Sequence, residues 1–317
     1  MPSSFTSTCS NSEVDSLKDL LENEEVRYVR KGYGLITAII MVAFSYFILP
    51  SFMLPIYKLL PYENKYMMYG GGCVIIHELT YILANLVMYL IYHAELPFFE
   101  RYKISNDPWP WKKNPELWKV QLKKTIKNLL FNNLIVVPLV ASPSFFIEPS
   151  IETSIEAFPT WKQLIPQTIF FMLVEDTTFY WLHRLLHTPR FYGAIHKKHH
   201  EYINTIGIAS EYAHPLEFAF GNLLPAAIGP LLLGNCHIYT IYMWNVIRLL
   251  ETTDGHSGYD FSWSAFRLLP FSGSANYHNF HHSHNVGNYS SFFTYWDTIC
   301  KTNTHYWRYL SAKEKSE

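Results

Sequence analysis

The chain has 317 residues, of which 49% are hydrophobic and 17% aromatic, whereas only 16% are charged. A typical soluble domain carries roughly 25% charged residues, so this composition favours a protein with a lipid-facing surface. The formal net charge of -1 gives no indication of nucleic-acid binding. Four widely spaced cysteines without a Cys-x-x-Cys pair argue against a disulfide framework and a thiolate zinc site, and we interpret them as reduced thiols.

The first thirty or so residues are polar and lack the basic and then apolar layout of a cleavable signal peptide, which argues against secretion. Ser12 and Asp15 are spaced as in a capping box, and apolar residues recur after them at helical spacing. We predict an amphipathic helix over residues 12–31, within a cytosolic N-terminal segment of residues 1–34. The remaining residues, 35–317, are predicted to form one membrane-embedded catalytic domain.

Four long apolar stretches follow this segment. Residues 35–57 contain no charged residue, and they are long enough to cross a bilayer. Similar stretches occupy residues 69–92, 129–147 and 166–182. A soluble protein with buried helices is the alternative, but one small core could not hold four such segments. We therefore predict four transmembrane helices.

Basic residues indicate the orientation of these helices. Lysines and arginines are concentrated between residues 101 and 127, whereas the next connection is acidic. By the positive-inside rule, the N-terminus and the basic connection are cytosolic, and four crossings return the chain to the cytosol near His183. A further apolar region, residues 216–250, is predicted to be re-entrant or to form a hairpin, because a single crossing would separate the histidines on its two sides.

Three clusters of histidine in the second half of the chain indicate a metal site. They are His183 and His187; His196, His199 and His200; and His278, His281 and His282. Residues three and four apart on a helix share a face, so each cluster can direct its imidazoles at one point. Neutral imidazole binds iron and zinc without adding charge to an apolar site. The clusters predict a two-metal centre at the cytosolic edge of the membrane.

Acidic side chains near the clusters are candidates to orient the ligands. Asp176 lies seven residues before His183 and shares its helical face, so it could accept the outer ring N–H of a ligand. Glu175, Glu211, Glu251 and Asp254 are further candidates for this role. Two more histidines, His214 and His256, stand near acids and turns. From the residues alone, each is better interpreted as a hydrogen-bonded structural histidine than as a ligand.

The motifs resemble the fatty acid hydroxylase and sterol desaturase superfamily, and in particular its sterol 4-methyl oxidase (methylsterol monooxygenase) branch. The resemblance covers residues 173–306 in detail and the upstream spans more loosely. The matching segments are Glu-Asp-Thr-Thr-Phe-Tyr-Trp-Leu-His-Arg-Leu-Leu-His from Glu175, His-Lys-Lys-His-His-Glu-Tyr from His196, Ala-Ser-Glu-Tyr-Ala-His-Pro-Leu-Glu from Ala209, His-Ser-Gly-Tyr-Asp-Phe from His256, and Gly-Asn-Tyr-Ser-Ser-Phe-Phe-Thr-Tyr-Trp-Asp from Gly287.

The resemblance implies a non-haem di-iron oxygenase of the endoplasmic reticulum membrane that oxidises the 4-methyl group of a sterol with O2. Electrons would come from NAD(P)H through a reductase and cytochrome b5. It also implies that His214 and His256 join the three clusters, so that ten histidines hold two iron ions. Oxidation of an unactivated C–H bond requires a redox-active metal, so zinc in a purified sample would be a replacement.

The chain departs from the family pattern at several positions. Asn279 stands where relatives usually carry aspartate, and we include it among the residues that support the ligands, although it cannot supply a carboxylate. Lys301 replaces a glycine, which changes the permitted backbone there, and Thr188 replaces a histidine. Lys197 and Lys198 are interpreted equally well as a docking point for an acidic electron donor and as a solvated pair.

The predicted fold is therefore an all-α, integral membrane helical bundle of about four transmembrane helices, with an additional re-entrant or hairpin apolar region and a cytosolic, histidine-rich di-metal cap. Two alternatives to sterol 4-methyl oxidation remain open. One is oxidation at another sterol position, such as side-chain dealkylation or ring C-5 desaturation. The other is a membrane protein that binds metal or sterol without catalysis.

Overall fold

The computed structural model describes residues 24–145 and 150–314, and this part of the chain is mostly helical. Residues 12–23 of the predicted amphipathic helix lie outside the described residues. The α-helices are Glu24–Ala43, Leu49–Tyr57, Gly72–Ala94, Pro97–Glu100, Pro110–Lys113, Pro115–Phe131, Val137–Ala141, Trp161–Leu186, Pro189–Tyr192, Pro215–Glu217, Leu224–Leu233, Ile238–Gly255, Ala275–His284, Tyr295–Ile299 and Thr304–Glu314.

Four π-helical turns connect several of these helices without a break in the chain direction: Phe44–Ile48, Met67–Gly71, Asn132–Val136 and Phe218–Leu223. The 3-10 turns are Ser142–Phe145, His196–Glu201, Gly207–Glu211 and Ala265–Leu268. As a result, the described chain makes six long helical passes, which we number in chain order. They are residues 24–57, 67–94, 115–145, 161–186, 215–233 and 238–255.

Three passes contain helices that are long and apolar enough to cross a membrane. These helices are Gly32–Tyr57, Met67–Ala94 and Pro215–Leu233 among the described residues. The first two coincide with predicted spans, so the protein has membrane helices as expected. The predicted count of four is not confirmed. The other two predicted spans lie in the third and fourth passes, where lysines and buried acids reduce the apolar character.

The fifth and sixth passes form the hairpin that the sequence predicts for residues 216–250. Gly234 ends the fifth pass with φ of +57°, a conformation that glycine adopts without a Cβ penalty. The arms are held together by Trp244, which is fully buried and donates from Nε1 to the carbonyl of Ala226 at 2.8 Å. The chain therefore returns to the end of the bundle from which it came.

One end of the bundle is closed by connections without histidine clusters, and we call it the far end. Ile151–Glu152 pairs there as a short parallel strand with Cys236–His237. The hydroxyl of Tyr57 donates to the carbonyl of Thr153 at 2.6 Å, which holds the end of the first pass to the same region. Each remaining connection is therefore at the opposite end.

The opposite end carries the cap, which consists of residues 95–114, 187–214 and 256–314. The backbone N–H of Ile104 donates to the carbonyl of Gly258 at 3.0 Å, and Lys103 forms an antiparallel bridge with Tyr259. The first pass meets the cap at Gly34, where an added Cβ would collide with the carbonyl of Ser262. Burial of aromatic rings at Tyr92, Trp109 and Tyr259 stabilises the cap against the second pass.

The outer surface of the bundle carries large apolar side chains that a soluble protein would bury. Exposed residues of the first and second passes include Ile40, Phe52, Leu83 and Val87. Contiguous apolar surface of this kind indicates contact with lipid. The bundle thus places the cap at one edge of a membrane.

Candidate metal centre

All three histidine clusters and His256 lie at the cap end, on four different elements. His183 and His187 come at the end of the helix Trp161–Leu186, and the second cluster forms the 3-10 turn His196–Glu201. His256 follows the helix Ile238–Gly255, and the third cluster lies on the helix Ala275–His284. The hairpin of the fifth and sixth passes brings the last two elements to the first two.

Five of these histidines form a first group, in which one nitrogen of each ring lies within 4.8 Å of the others. The members are His183, His187, His196, His200 and His281. Nε2 of His196 is central, since it lies 2.9 Å from Nε2 of His187 and 3.0 Å from Nε2 of His200. Their rings converge as ligands around a single ion would.

Four other histidines form a second group with the same property. The members are His199, His256, His278 and His282. Nε2 of His278 lies 2.9 Å from Nε2 of His256 and 3.1 Å from Nε2 of His282, while Nε2 of His256 lies 3.3 Å from Nε2 of His199. The structure therefore contains two adjacent groups, as a two-metal centre requires.

The outer ring nitrogens face acceptors that fix the tautomer. The Nδ1–H groups donate to oxygen as follows: His183 to Tyr289 O at 2.9 Å, His196 to Glu217 Oε1 at 2.7 Å, His199 to Tyr212 O at 3.1 Å, His256 to Thr252 O at 2.8 Å, His281 to Gly287 O at 2.6 Å and His282 to Tyr202 O at 3.0 Å. A carbonyl can only accept, so Nδ1 carries the hydrogen and Nε2 keeps its lone pair.

Two pairs of rings with fixed tautomers therefore cannot hydrogen-bond through their Nε2 atoms, because both atoms present lone pairs: His183 and His196 at 3.2 Å, and His199 and His256 at 3.3 Å. Lone pairs about 3 Å apart repel unless a cation lies between them, and imidazole nitrogen is a good ligand for iron and zinc. Burial, followed by the neighbouring imidazoles, lowers the pKa of His200 to about 2, and burial lowers the pKa of His199 to about 4. Both rings are neutral at pH 7, as metal binding requires.

Several known proteins are similar in sequence to this chain over most of its length. It is 39% identical over 258 residues to methylsterol monooxygenase 1 of Danio rerio, a match that covers 79% of this chain and 84% of the relative. A family model described as fatty acid hydroxylase matches residues 168–302, which include every histidine of the two groups. The chain belongs to the fatty acid hydroxylase family. The resemblance stated from the motifs is thereby confirmed.

Two further relatives show the breadth of this family. Methylsterol monooxygenase 2-2 of Arabidopsis thaliana is 36% identical over 250 residues, covering 78% of this chain and 90% of the relative. The very-long-chain aldehyde decarbonylase GL1-8 of Oryza sativa is 34% identical over 264 residues, covering 81% of this chain and 93% of the relative. No solved structure matches the chain significantly. Family membership thus indicates an oxidoreductase, whereas the named substrates differ.

The structure does not bring His214, a ligand implied by the family resemblance, into either group. It lies just before the helix Pro215–Glu217, and its Nδ1 accepts the backbone N–H of Leu216 at 3.2 Å. This is a helix-capping contact, which satisfies a backbone donor at the start of the fifth pass. His256, the other doubtful histidine, does join the second group.

Glu217 is a supporting residue that the sequence analysis did not single out. Its carboxylate accepts from His196, the central ring of the first group. The signal was present, because Glu217 closes the Glu-Tyr-Ala-His-Pro-Leu-Glu motif, in which only Glu211 and His214 were considered. On the helix of the fifth pass, it lies one turn beyond His214.

The acids that the sequence predicts as supporting residues bond to groups other than the ligand rings. Asp176 accepts the backbone N–H groups of Ser291 at 3.2 Å and Phe293 at 3.0 Å. A backbone carbonyl, that of Tyr289, rather than Asp176 therefore faces the outer nitrogen of His183. Asp176 supports the site indirectly, because it holds the segment that supplies this carbonyl.

The other predicted supporting residues also bond to groups other than ligand rings. Glu175 pairs with Arg248 at 2.7 Å, Asp254 with Arg267 at 3.1 Å, and Glu251 with Arg248 at 2.8 Å. Asn279 accepts the backbone N–H of Thr205 at 3.1 Å, and Glu211 lies 3.1 Å from His77. The three salt bridges and the Asn279 contact hold the elements that carry the ligands in place.

A small void of about 20 Å³ touches both groups of histidines. Its walls include His183 and His196 of the first group and His199, His256 and His278 of the second. A void of this size admits one water-sized molecule. It lies where a small ligand could meet both metals.

A much larger, mainly apolar cavity of about 480 Å³ adjoins this void. Ser210, Asn222 and Thr252 line both spaces. The cavity continues between the passes towards Gly234 at the far end, and its wall residues Val140 and Leu231 are also exposed on the outer surface. An apolar molecule in the lipid could therefore reach the centre without passing through water.

Proposed function

We propose that this protein is a membrane-bound di-iron oxygenase that oxidises the 4-methyl group of a sterol. The observation that carries the proposal is the convergence of two sets of Nε2 lone pairs on either side of one small void, at the end of a large apolar cavity. The proposed ligands of the first iron are His183, His187, His196, His200 and His281. Those of the second are His199, His256, His278 and His282.

Iron at both groups would supply the redox chemistry for O2 activation, which zinc cannot provide. The protein contributes neutral ligands, and carbonyl oxygens and Glu217 fix the tautomers of six of them. Burial of the rings excludes bulk water, and the void limits what can lie between the groups to a molecule of about the size of O2 or water. The apolar cavity would present a C–H bond of the substrate to this space.

The sterol substrate is proposed because relatives from an animal and a plant carry the name methylsterol monooxygenase, and because the cavity suits an apolar ligand of that size. Decarbonylation of a very-long-chain aldehyde is a second candidate, since the rice relative is named for it and matches over a similar length. The two candidates differ in product, so one assay separates them.

We further propose that the cap faces the cytosol at the endoplasmic reticulum membrane. The basic connection that begins with Arg101 joins the second and third passes at the cap end, which the positive-inside rule assigns to the cytosol. Cytochrome b5, reduced by its NAD(P)H-dependent reductase, would then deliver electrons at the cap. Lys197 lies on the 3-10 turn that supplies three ligands, and offers positive charge to an acidic donor.

The test is turnover by purified protein loaded with iron, supplied with a 4,4-dimethylsterol, O2, cytochrome b5 and its reductase, with products identified by mass spectrometry. We expect oxygenation of a 4-methyl group. The variant His200→Ala should lose activity, whereas His284→Ala, which removes a histidine outside both groups, should keep it. Attack at another carbon, conversion of a long-chain aldehyde alone, or no product from fully iron-loaded protein would contradict the proposal.

A further inference from the structure

The mostly apolar wall of the large cavity includes a pair of ionisable residues, His77 and Glu211. Apolar residues of several passes surround the pair, among them Val74, Val137 and Phe218. Glu211 ends the 3-10 turn Gly207–Glu211, and His77 lies in the second pass. Neither residue belongs to the metal groups.

Both side chains are buried, with 11% of the His77 side chain and 3% of the Glu211 side chain exposed. Nε2 of His77 lies 3.1 Å from Oε1 of Glu211, but the two atoms do not have the geometry of a hydrogen bond. Among the described residues, neither these atoms nor Oε2 of Glu211 has another hydrogen-bond partner. Buried polar atoms without partners are costly and uncommon, so three together in a cavity wall indicate a ligand.

Arg248 also lines this cavity, but its guanidinium is engaged with two carboxylates of the protein. Arg248 donates from Nε to Glu175 at 2.7 Å and from Nη1 to Glu251 at 2.8 Å. By contrast, both carboxylate oxygens of Glu211 remain open, although its backbone is fixed by the Asn132 amide, which donates to the Glu211 carbonyl at 3.2 Å.

The pair lies close to the opening between the cavity and the metal centre. Ser210, which precedes Glu211, lines both the cavity and the small void. Tyr212, which follows Glu211, supplies the carbonyl that orients His199. A ligand group held by Glu211 would thus lie at the metal end of the cavity. The opposite end, near Pro143, Leu231 and Gly234, offers mainly apolar contacts.

We propose that His77 and Glu211 bind the hydroxyl group of the sterol and so set the orientation of the substrate. This inference rests on the proposed function. A hydroxyl has one donor and two acceptor sites, so it can donate to the carboxylate of Glu211 and accept from Nε2–H of His77. In a 3-hydroxysterol, the carbon that carries the 4-methyl groups is bonded to the carbon that carries the hydroxyl. Binding of the hydroxyl here directs a methyl group towards the void, and the hydrocarbon tail towards the far end.

The experiment measures binding rather than turnover, with zinc-loaded protein in detergent. The probes are a 4,4-dimethyl-3-hydroxysterol and its 3-deoxy analogue. Hydrogen bonds to charged groups are among the stronger ones, so the wild-type protein should prefer the hydroxysterol by about 10- to 100-fold. In His77→Phe and Glu211→Gln this preference should fall by about 10-fold or more, while affinity for the deoxy analogue stays within about threefold.

His93→Phe is the matched control, because His93 lies on the same helix near the cap and outside the cavity. It should retain the wild-type preference. If His77→Phe does not fold, as judged by its zinc content, Glu211→Gln decides the question, since glutamine preserves the size of the side chain. A preference that survives in Glu211→Gln, or is absent from the wild type, would overturn the inference and leave the proposed function standing. Failure of the wild type to bind either sterol, together with binding of a long-chain aldehyde, would overturn both.

Discussion

Oε1 of Glu217 lies 2.7 Å from Nδ1 of His196, and both side chains are almost completely buried. His196 is the ring from which the first group is organised, because its Nε2 lies within 3.2 Å of three other histidine Nε2 atoms. The contact therefore joins the start of the fifth pass directly to the proposed metal ligands. A carboxylate in this position raises the basicity of the ligand and fixes its orientation.

Removal of this carboxylate should weaken metal binding at the first group. We expect Glu217→Ala to lower its affinity for zinc or iron by about 10- to 100-fold, because the outer N–H of His196 loses its acceptor. Glu217→Gln keeps an acceptor oxygen and should have a smaller effect. Competition with a chelator measures the affinity, with the exposed Glu116→Ala as the control. Unchanged affinity in Glu217→Ala would show that the contact does not support the ligand.

The two groups should lose their metals independently. His200→Ala removes a ligand of the first group and His282→Ala a ligand of the second, so each variant should retain about one metal per chain instead of two. Metal analysis of the purified variants gives the stoichiometry. His284→Ala is the control, because His284 is adjacent to the third cluster but outside both groups. Loss of both metals from each single variant would instead indicate one cooperative centre.

The metal content of a His214 variant tests whether the family pattern or the geometry assigns the ligands correctly. Its Nδ1 caps the fifth pass, and the ring lies outside both groups. We expect His214→Ala to retain two metals and to lose about 1 kcal/mol of stability, the usual cost of a lost helix cap. Metal analysis together with thermal unfolding measures both effects. A variant with one metal would restore His214 as a ligand.

Acid should destabilise the metal-free protein over a defined range of pH. Burial lowers the pKa of His199 to about 4, whereas an unfolded histidine titrates near ~6.5. Between these values the unfolded state binds more protons, so the free energy of unfolding decreases as the pH falls. The full contribution is present above about pH 6.5, and each such histidine removes up to about 1.4 kcal/mol per pH unit below it.

Thermal unfolding of the metal-free protein between pH 8 and pH 4.5 measures this effect. The unfolding temperature should stay constant at the alkaline end and fall steadily below about pH 6.5. His199→Phe removes one of the titrating groups and should give a shallower dependence. An equally steep curve for this variant would mean that groups outside the two clusters cause the loss.

Histidine spacing predicted eight of the nine ligands that the structure brings together, because residues on one helical turn share a face, and the family resemblance added His256. Their division between the groups follows a simple rule that was not drawn from the sequence. The members four residues apart stay together, as His196 with His200 and His278 with His282 do. The remaining histidine of each box, His199 or His281, joins the other group. A pattern of three ligands on one turn therefore links two metals.

The acceptors of the outer nitrogens could not be predicted in the same way. Most are backbone carbonyls, such as those of Tyr212, Thr252 and Tyr289, and every residue has a carbonyl. Only the tertiary fold determines which carbonyl meets a ring.

The number of helical passes could not be predicted from hydropathy alone. Charged residues lower the hydropathy of the third and fourth passes, but they do not prevent a long helix from forming there.

The departure from the family pattern at Lys301 has a clear backbone consequence. Lys301 has a φ of +57°, and it follows the helix Tyr295–Ile299 and its cap residue Cys300. The N–H of Thr302 donates to the carbonyl of Asp297 at 2.8 Å, and the N–H of Lys301 to that of Thr298 at 3.3 Å. These two bonds define a Schellman motif, in which the left-handed residue is usually glycine.

We therefore expect Lys301→Gly to stabilise the protein. A left-handed conformation costs an L-residue about 1–2 kcal/mol, of which about 0.5–1 kcal/mol is offset by the greater freedom of glycine in the unfolded chain. The net gain of about 0.5–1 kcal/mol should raise the unfolding temperature by about 1–4 °C and leave metal content unchanged. Asn285→Gly is the matched control, because Asn285 also ends a helix at positive φ, where asparagine is strained less than lysine. The unfolding temperature should rise less in Asn285→Gly than in Lys301→Gly. An equal rise in both variants would show that lysine is strained no more than asparagine in this conformation.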